Sequence, residues 1–346
     1  MWLDSAKILG RRSEGTETRP AYTREDVRFA LTRIETLQVG SRRRVRDLEF
    51  ELFPAGHILG AVGVVVHAGE QRVVVSGDVS GAGQRTVGGI QIPDAAIGAD
   101  LLLLESTYAG MSRPMPRRHA VEAFVRDMTA VLDRGGRVLV PAFALGRAQE
   151  IALLCTEHLP GAEVIVDGLA RDVSRVYQSH IGPDGRLMQI FNGRVRPVPY
   201  GGTQSEITML RTGVVIATSG MLTAGPAVAW ARAILPDPRG GLMIVGYQDE
   251  DSPGRRLLDL AEAGGGVFAL PGTDESAPEQ VEVAAQVADY KLGAHASADE
   301  LVTITARAAP VMVMLVHGEP TGQRQLRERL ALRYQNTVET LAWTAS

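Results

Sequence analysis

A chain of 346 residues, 45% of them hydrophobic, is long enough for two domains and a sizeable core. A net charge of −4 with no long single-sign run excludes a polycation, so any nucleic-acid contact has to come from a local basic groove. The single cysteine, Cys155, excludes an internal disulfide and a cysteine-built zinc site, which suits a reducing, cytoplasmic setting.

In chain order, residues 1–8 read as the interior of a helix with no cap ahead of it, and they lack the basic and apolar regions of a signal peptide. No apolar run approaches the roughly 18 residues of a membrane span. Residues 11–22 are polar and loop-like. Thr23 is a natural N-cap for a helix running to about residue 37. Strands are expected over 48–53, 62–66 and 73–76, the last two forming a hairpin across the turn 68–71. Residues 101–105, four leucines ending in Glu105, read as a buried strand. From about residue 115 the pattern alternates. Helices are expected over 119–133, 145–158, 169–180, 226–234 and 253–263, with strands over 137–141, 163–166, 214–218 and 242–245. That order predicts parallel βα units. Residues 182–212, rich in Gly and Pro, carry no predicted element. Strand-like segments follow at 267–270 and 281–290. A helix over 298–308, a strand over 311–316, a helix over 322–333 and a short strand over 337–341 close the chain.

Five polar residues sit at strand ends or glycine turns: His57, Asp78, Glu105, His295 and His317. A single histidine after an apolar strand is more often a satisfied core residue than a ligand. Five such placements together point to one site, in which a metal would use His, Asp or Glu. His67, His119, His158 and His180 lack this placement and read as structural or surface residues. A second set lies at the starts of the βα helices: the run 141–150 with Arg147, then Ser219 and Gly220, then Ser252 and Arg255. Helix N-termini present free N–H groups to anions, and arginine adds a fork. Each loop alone is an ordinary βα turn. Three in one run, each after a strand's carboxyl end, point to a shared crevice. Nearly all positive charge is arginine, with only Lys7 and Lys291 as lysines. Arginine suits phosphate oxygens, but a GC-rich genome is the weightier cause.

The strings AGHILGA, SGDVSG, LLLLESTY, VLVPAFALGRAQE, TSGMLTAGPA, GYQ with SPGR, KLGAHA and MLVHGE stand in order over about residues 50–320. On these strings the chain resembles the β-CASP group of metallo-β-lactamase-fold nucleases, and is similar to prokaryotic relatives of the nuclease subunit of the cleavage and polyadenylation specificity factor. The resemblance implies an α/β fold: a metallo-β-lactamase αββα sandwich in two pieces, 1–110 and 293–346, with a β-CASP domain, 111–292, inserted between them. It implies a two-zinc hydrolase cutting phosphodiester bonds of single-stranded RNA. His57 and His317 would each hold one zinc and Asp78 would bridge both. Glu105 and His295, with Asp78, would form the catalytic group, the histidine protonating the leaving oxygen. Arg147, Ser219, Gly220, Ser252 and Arg255 would position the RNA backbone, contacts that set register and carry little sequence readout. A homodimer is compatible with the family, and a membrane role is not expected.

The sequence departs from the family pattern in one large respect. The family's first motif, His-x-His-x-Asp-His, which supplies most of the metal ligands, is nowhere in the chain. Each zinc then keeps one histidine plus the shared Asp78, below the three protein ligands usual for catalytic zinc. The first sandwich would lack its N-terminal strands and expose a sheet edge and apolar faces. Three readings stay open: a nuclease whose recorded start lies inside its gene, a pseudo-enzyme that keeps the RNA groove or a scaffold role, and a nuclease or esterase with a substrate other than RNA, DNA included. The chain as written is expected to show doubtful zinc occupancy and impaired cleavage. Smaller departures are Ala109 for a glycine, Asp251-Ser252 for a Gly-Thr pair, and Ser297 for the aspartate two residues after His295, which bears on how that histidine is oriented.

Overall fold

The computed structural model describes residues 21–110, 117–272, 278–334 and 337–340. The expected helix over 1–8 lies outside them. None of the described helices is long and apolar enough to cross a membrane.

Helix α1 (Arg24–Leu31) starts on a capping box in which Thr23 and Asp26 satisfy each other's backbone N–H groups. It ends about six residues earlier than the sequence pattern predicts. Strands β1 (Arg42–Val45), β2 (Leu48–Pro54), β3 (Val62–Ala68) and β4 (Gln71–Val75) follow as an antiparallel meander. β1 has no counterpart among the predicted strands, because four exposed residues, three of them arginine, carry no apolar alternation. β5 (Leu101–Glu105) joins β4 in parallel.

The chain then leaves this sheet. Helix α2 (Arg117–Asp133) leads to β6 (Arg137–Pro141), α3 (Arg147–His158), β7 (Val164–Asp167), α4 (Leu169–Tyr177), β8 (Val195–Pro197), α5 (Thr203–Met209), β9 (Gly213–Ala217), α6 (Pro226–Ile234), β10 (Gly241–Ile244) and α7 (Pro253–Glu262). A hairpin of β11 (Gly266–Leu270) and β12 (Glu279–Val283) precedes β13 (Gln286–Asp289). The chain returns through α8 (Ala298–Ala308), β14 (Met312–Val316), α9 (Pro320–Tyr334) and β15 (Thr337–Thr340). The segment 281–290 is thus two strands in two different sheets. The span 182–212 holds a short strand and a short helix, both too brief for periodicity to reveal.

Two sheets organise the molecule. The first has seven strands in the order β1-β2-β3-β4-β5-β14-β15. The second has six strands, all parallel, in the order β13-β10-β6-β9-β7-β8. Its strands are buried on both faces, as parallel sheets require. Phe124, Met128, Ile151 and Leu154 cover one face, and Trp230, Ile234 and Leu257 the other.

The first sheet is asymmetric. Phe53, Val65, Val74, Leu102, Leu104, Val313 and Leu315 pack on one face beneath Leu301 of α8 and Leu326 and Leu330 of α9. On the opposite face Leu52, Val64, Val75, Leu103 and Met314 stand in register across five strands, and each is only half-buried. The β1 edge is blunted by Arg42, which pairs with Glu49 and Glu51, and by its neighbouring arginines.

Candidate metal centre

The site lies where the loops after β2, β4, β5 and β14 meet the chain returning from the inserted sheet. The loops after β2 and β4 each turn on a glycine with little choice of side chain. Gly56 has φ +83°, and a Cβ there would lie 2.6 Å from the Ile90 nitrogen. Gly77 has φ +60°, with a Cβ position 2.7 Å from the Val62 carbonyl oxygen. These turns aim His57 and Asp78 at one another.

His57 donates its Nδ1–H to the Ala294 carbonyl at 3.1 Å. That bond leaves Nε2 as the free nitrogen, 3.9 Å from Asp78 Oδ2. A histidine held this way by its other nitrogen is oriented as a metal ligand. Burial, helped by the neighbouring His295, lowers its pKa and favours the neutral, ligating form. The other oxygen of Asp78, Oδ1, lies 4.0 Å from His317 Nδ1. Asp78 thus offers one oxygen towards each of two histidines. His317 itself has φ +62°, a conformation uncommon outside glycine. Its carbonyl is held there by Ser106 Oγ and the Gln323 side-chain amide. The ring is 69% exposed.

Glu105 closes β5 almost completely buried. Its carboxylate accepts from Val79 N at 3.1 Å, Thr107 N at 2.9 Å and His295 Nδ1 at 3.0 Å. Burial alone would raise its pKa, but the His295 hydrogen bond and charge, with the Thr107 bonds, hold it below the usual range. Burial opposes charge on His295 as well, yet the Glu105 bond and charge raise its pKa. The pair is a carboxylate and a histidine that favours its charged form. With Nδ1 engaged, Nε2 of His295 faces the site. The rings of His57 and His295 lie 4.4 Å apart, and Tyr108, its hydroxyl pushed up to about 12 by burial, packs 5.3 Å from His295.

Among the described residues, His57, Asp78 and His295 form a group whose ligand atoms lie within 4.8 Å of one another. The geometry therefore places His295 beside His57 and Asp78 with its Nδ1 on Glu105, while His317 meets the group only through the far oxygen of Asp78. This donor set of imidazoles and one shared carboxylate suits zinc. Ser297 does not orient His295. Its Oγ caps α8 by accepting Glu300 N, and Glu300 in turn accepts Ser297 N at 2.8 Å.

The loops after β6, β9 and β10 lie side by side, because those strands are adjacent in the parallel sheet. The residues expected to share a crevice there divide. Arg255 pairs with Asp259 through Nε at 2.9 Å and lines a cavity of about 300 Å³ with Tyr108, Tyr247, Gln248, Lys291 and Ser297. The Gly220 carbonyl accepts from Gln248 Nε2 at 2.9 Å, and a Cβ at Gly220 would lie 3.0 Å from Phe143 N. Ser219 Oγ pairs with Thr223. Ser252 is a buried N-cap accepting Arg255 N. Arg147, expected as an open fork, is 5% exposed and gives Nη2 to Gln84 Oε1 at 3.3 Å, while its Nη1 is buried with no partner. Burial, with Arg117 alongside, lowers its pKa to about 10. Helix α3 turns this arginine inward because its whole first turn is buried against the first sheet's loops. Residues that the sequence reading did not single out are Gln84, Arg85 and Arg117, which no motif or periodicity marks.

A Beta-Casp domain model matches residues 148–257, and a model described as "Zn-dependent metallo-hydrolase RNA specificity domain" matches residues 280–341. The chain carries a Beta-Casp domain. Among curated β-CASP relatives, a "Probable RNase MJ4" from Methanocaldococcus jannaschii is 29% identical over 88% of this chain and 70% of its own length. An "Endoribonuclease ysh1" from Aspergillus fumigatus is 28% identical over 99% of this chain. A "Transcription termination factor FttA" from Pyrococcus abyssi is 29% identical over 87% of it. The chain spans 44% and 49% of those last two proteins. A solved structure of a protein of unknown function from Enterococcus faecalis V583 shares the fold, with a TM-score of 0.53 at 12% identity over 98% of this chain and 71% of that one.

Proposed function

We propose that this β-CASP chain contributes the Asp78 wall of a two-zinc phosphodiesterase site acting on single-stranded RNA in the cytoplasm. The observation that carries this reading is the division of Asp78, one oxygen towards His57 and the other towards His317. A carboxylate presented to two imidazoles in this way is what a pair of metals would share. His57 would hold the zinc on one side and His317 the zinc on the other, while His295 stays off the metals as the proton donor. When bound, zinc supplies Lewis-acid polarisation of the phosphate and activation of water.

The chain's own groups do the rest. The buried Glu105 carboxylate keeps His295 charged, so the imidazolium has a proton to give to the leaving 3′ or 5′ oxygen. Arg255, paired with Asp259, and Lys291, paired with Asp289, line the cavity beside the site. The absent His-x-His-x-Asp-His motif sets the limit. Among the described residues, His57 and His317 each have Asp78 beside them as a further ligand. We expect the 346-residue chain to bind zinc below two per molecule and to cleave weakly. Zinc analysis and cleavage of a labelled RNA strand test this directly. Two tightly held zincs with robust cleavage would overturn the expected impairment. No zinc, with salt-sensitive RNA binding intact, would favour the non-catalytic reading. Preference for a DNA strand of the same sequence would move the substrate assignment.

A further inference from the structure

Glu150, the last residue of the string 141–150, has no exposed surface. Its Oε2 accepts from the backbone N–H of Arg85 at 2.7 Å and of Thr86 at 3.3 Å. Its Oε1 lies 3.4 Å from both Arg85 Nη1 and Arg117 Nη2. Two routes run from this carboxylate to His57. The first passes through the neighbouring Gln84, 8% exposed, whose Nε2 donates to the His57 carbonyl at 2.7 Å and the Gly56 carbonyl at 3.2 Å. The Oε1 of Gln84 accepts Arg147 Nη2. The second passes through Arg117, whose Nη1 donates to the Gly293 carbonyl at 3.0 Å. Gly293 precedes Ala294, whose carbonyl receives the His57 Nδ1–H. One route holds the backbone of His57 and the other holds its ring.

We propose that Glu150 and Gln84 are positioning residues that tie His57 to the seating of α3 on the loop 84–86, so that Nε2 faces Asp78 when the inserted domain is docked. The chemistry of the residue types supports this. Two carbonyls need a donor and a guanidinium needs an acceptor, and the Gln84 amide supplies both at once. Leucine supplies neither. Glutamate keeps the acceptor but sets a carboxylate against two carbonyls. At Glu150 the groups that converge are backbone N–H donors and guanidinium groups, which only an ionised carboxylate satisfies together.

The inference rests on His57 being a metal ligand, and its test separates the two. Histidine side chains are labelled with ¹⁵N in the metal-free full chain, and the His57 Nδ1–H signal is identified by its loss in His57→Gln. Gln84→Leu, Gln84→Glu and Glu150→Gln are each expected to abolish or shift that signal and to speed amide exchange at residues 56–58 by about tenfold or more. The signals of His119 and His180, far from the loop in sequence, are expected to stay. Zinc affinity, titrated with zinc alone, is expected to fall by about 10-fold, within the range for loss of an outer-shell partner. An unchanged His57 signal in both Gln84 variants overturns the proposal, even if Glu150→Gln fails to fold. A wild-type chain that takes up no zinc while the signal still responds overturns the metal reading and leaves the positioning role standing.

Discussion

The rim of the first sheet and the first turn of α3 carry equally distinctive strings, and they use them in opposite directions. At the rim, Asp78 and His317 point outward from glycine turns, 41% and 69% exposed, with the half-buried His57 beside them. In α3, Arg147, Gln149 and Glu150 point inward: Gln149 caps the Gly146 N–H at 2.8 Å and bonds Ser174, while Arg147 and Glu150 grip the loop 84–86. A polar string at a helix N-terminus is therefore no guide by itself to a ligand. What separates the two cases is burial, which periodicity cannot supply for residues whose partners are about 65 positions away.

Substitutions at the two regions should differ in kind. Asp78→Asn is expected to have the largest effect on function. Zinc binding and RNA cleavage should fall by at least the roughly 10- to 100-fold that loss of an outer-shell partner costs, with the thermal midpoint unchanged because the side chain is exposed. Isothermal titration with zinc beside a melting curve checks both. Glu105→Gln should follow, lowering single-turnover cleavage by about 10²–10⁴-fold through loss of a positioned proton donor. It removes the charge that keeps His295 protonated, so the cleavage that remains should decline at a lower pH than in the wild type. A pH–rate profile reads that shift.

Much of this was legible in the sequence and some was not. His57, Asp78, Glu105, His295 and His317 could be picked out because each follows a short apolar strand and sits beside glycine or a turn. The parallel βα run was legible because buried strands read as unbroken apolar stretches, as in Val214, Val215 and Ile216. The strand 42–45 was hidden by its arginines. The inward turn of Arg147 was hidden because its partner, Gln84, lies in a loop with no pattern. The capping role of Ser297 went unread, although the Ser-x-x-Glu spacing of a capping box was there to be seen.

Two smaller effects sharpen the contrast between capping and catalysis. Ser297→Ala should cost about 1 kcal/mol of stability as a lost N-cap, while the His295–Glu105 pair and the pH profile stay as they are. A shifted profile would instead give Ser297 a part in orienting the histidine. On the inserted sheet, Arg196 grips Glu206 with two bonds of 2.7 Å, and that hydrogen bonding holds the Glu206 carboxyl below its usual range. A depressed carboxylate contributes above its unfolded pKa of about 4.3 and loses that contribution as pH falls through the folded value. Glu206→Gln should therefore flatten the acid limb of the stability curve by less than about 1 kcal/mol, since Arg196 is partly exposed. Urea midpoints between pH 7 and 3 measure it.

The most direct test is the zinc affinity of the wild type, Asp78→Ala and Arg147→Met, titrated side by side. The expected result is a steep loss in Asp78→Ala with folding intact, and in Arg147→Met a smaller loss accompanied by a lower thermal midpoint. Equal zinc affinity in the wild type and Asp78→Ala would contradict a centre built on Asp78.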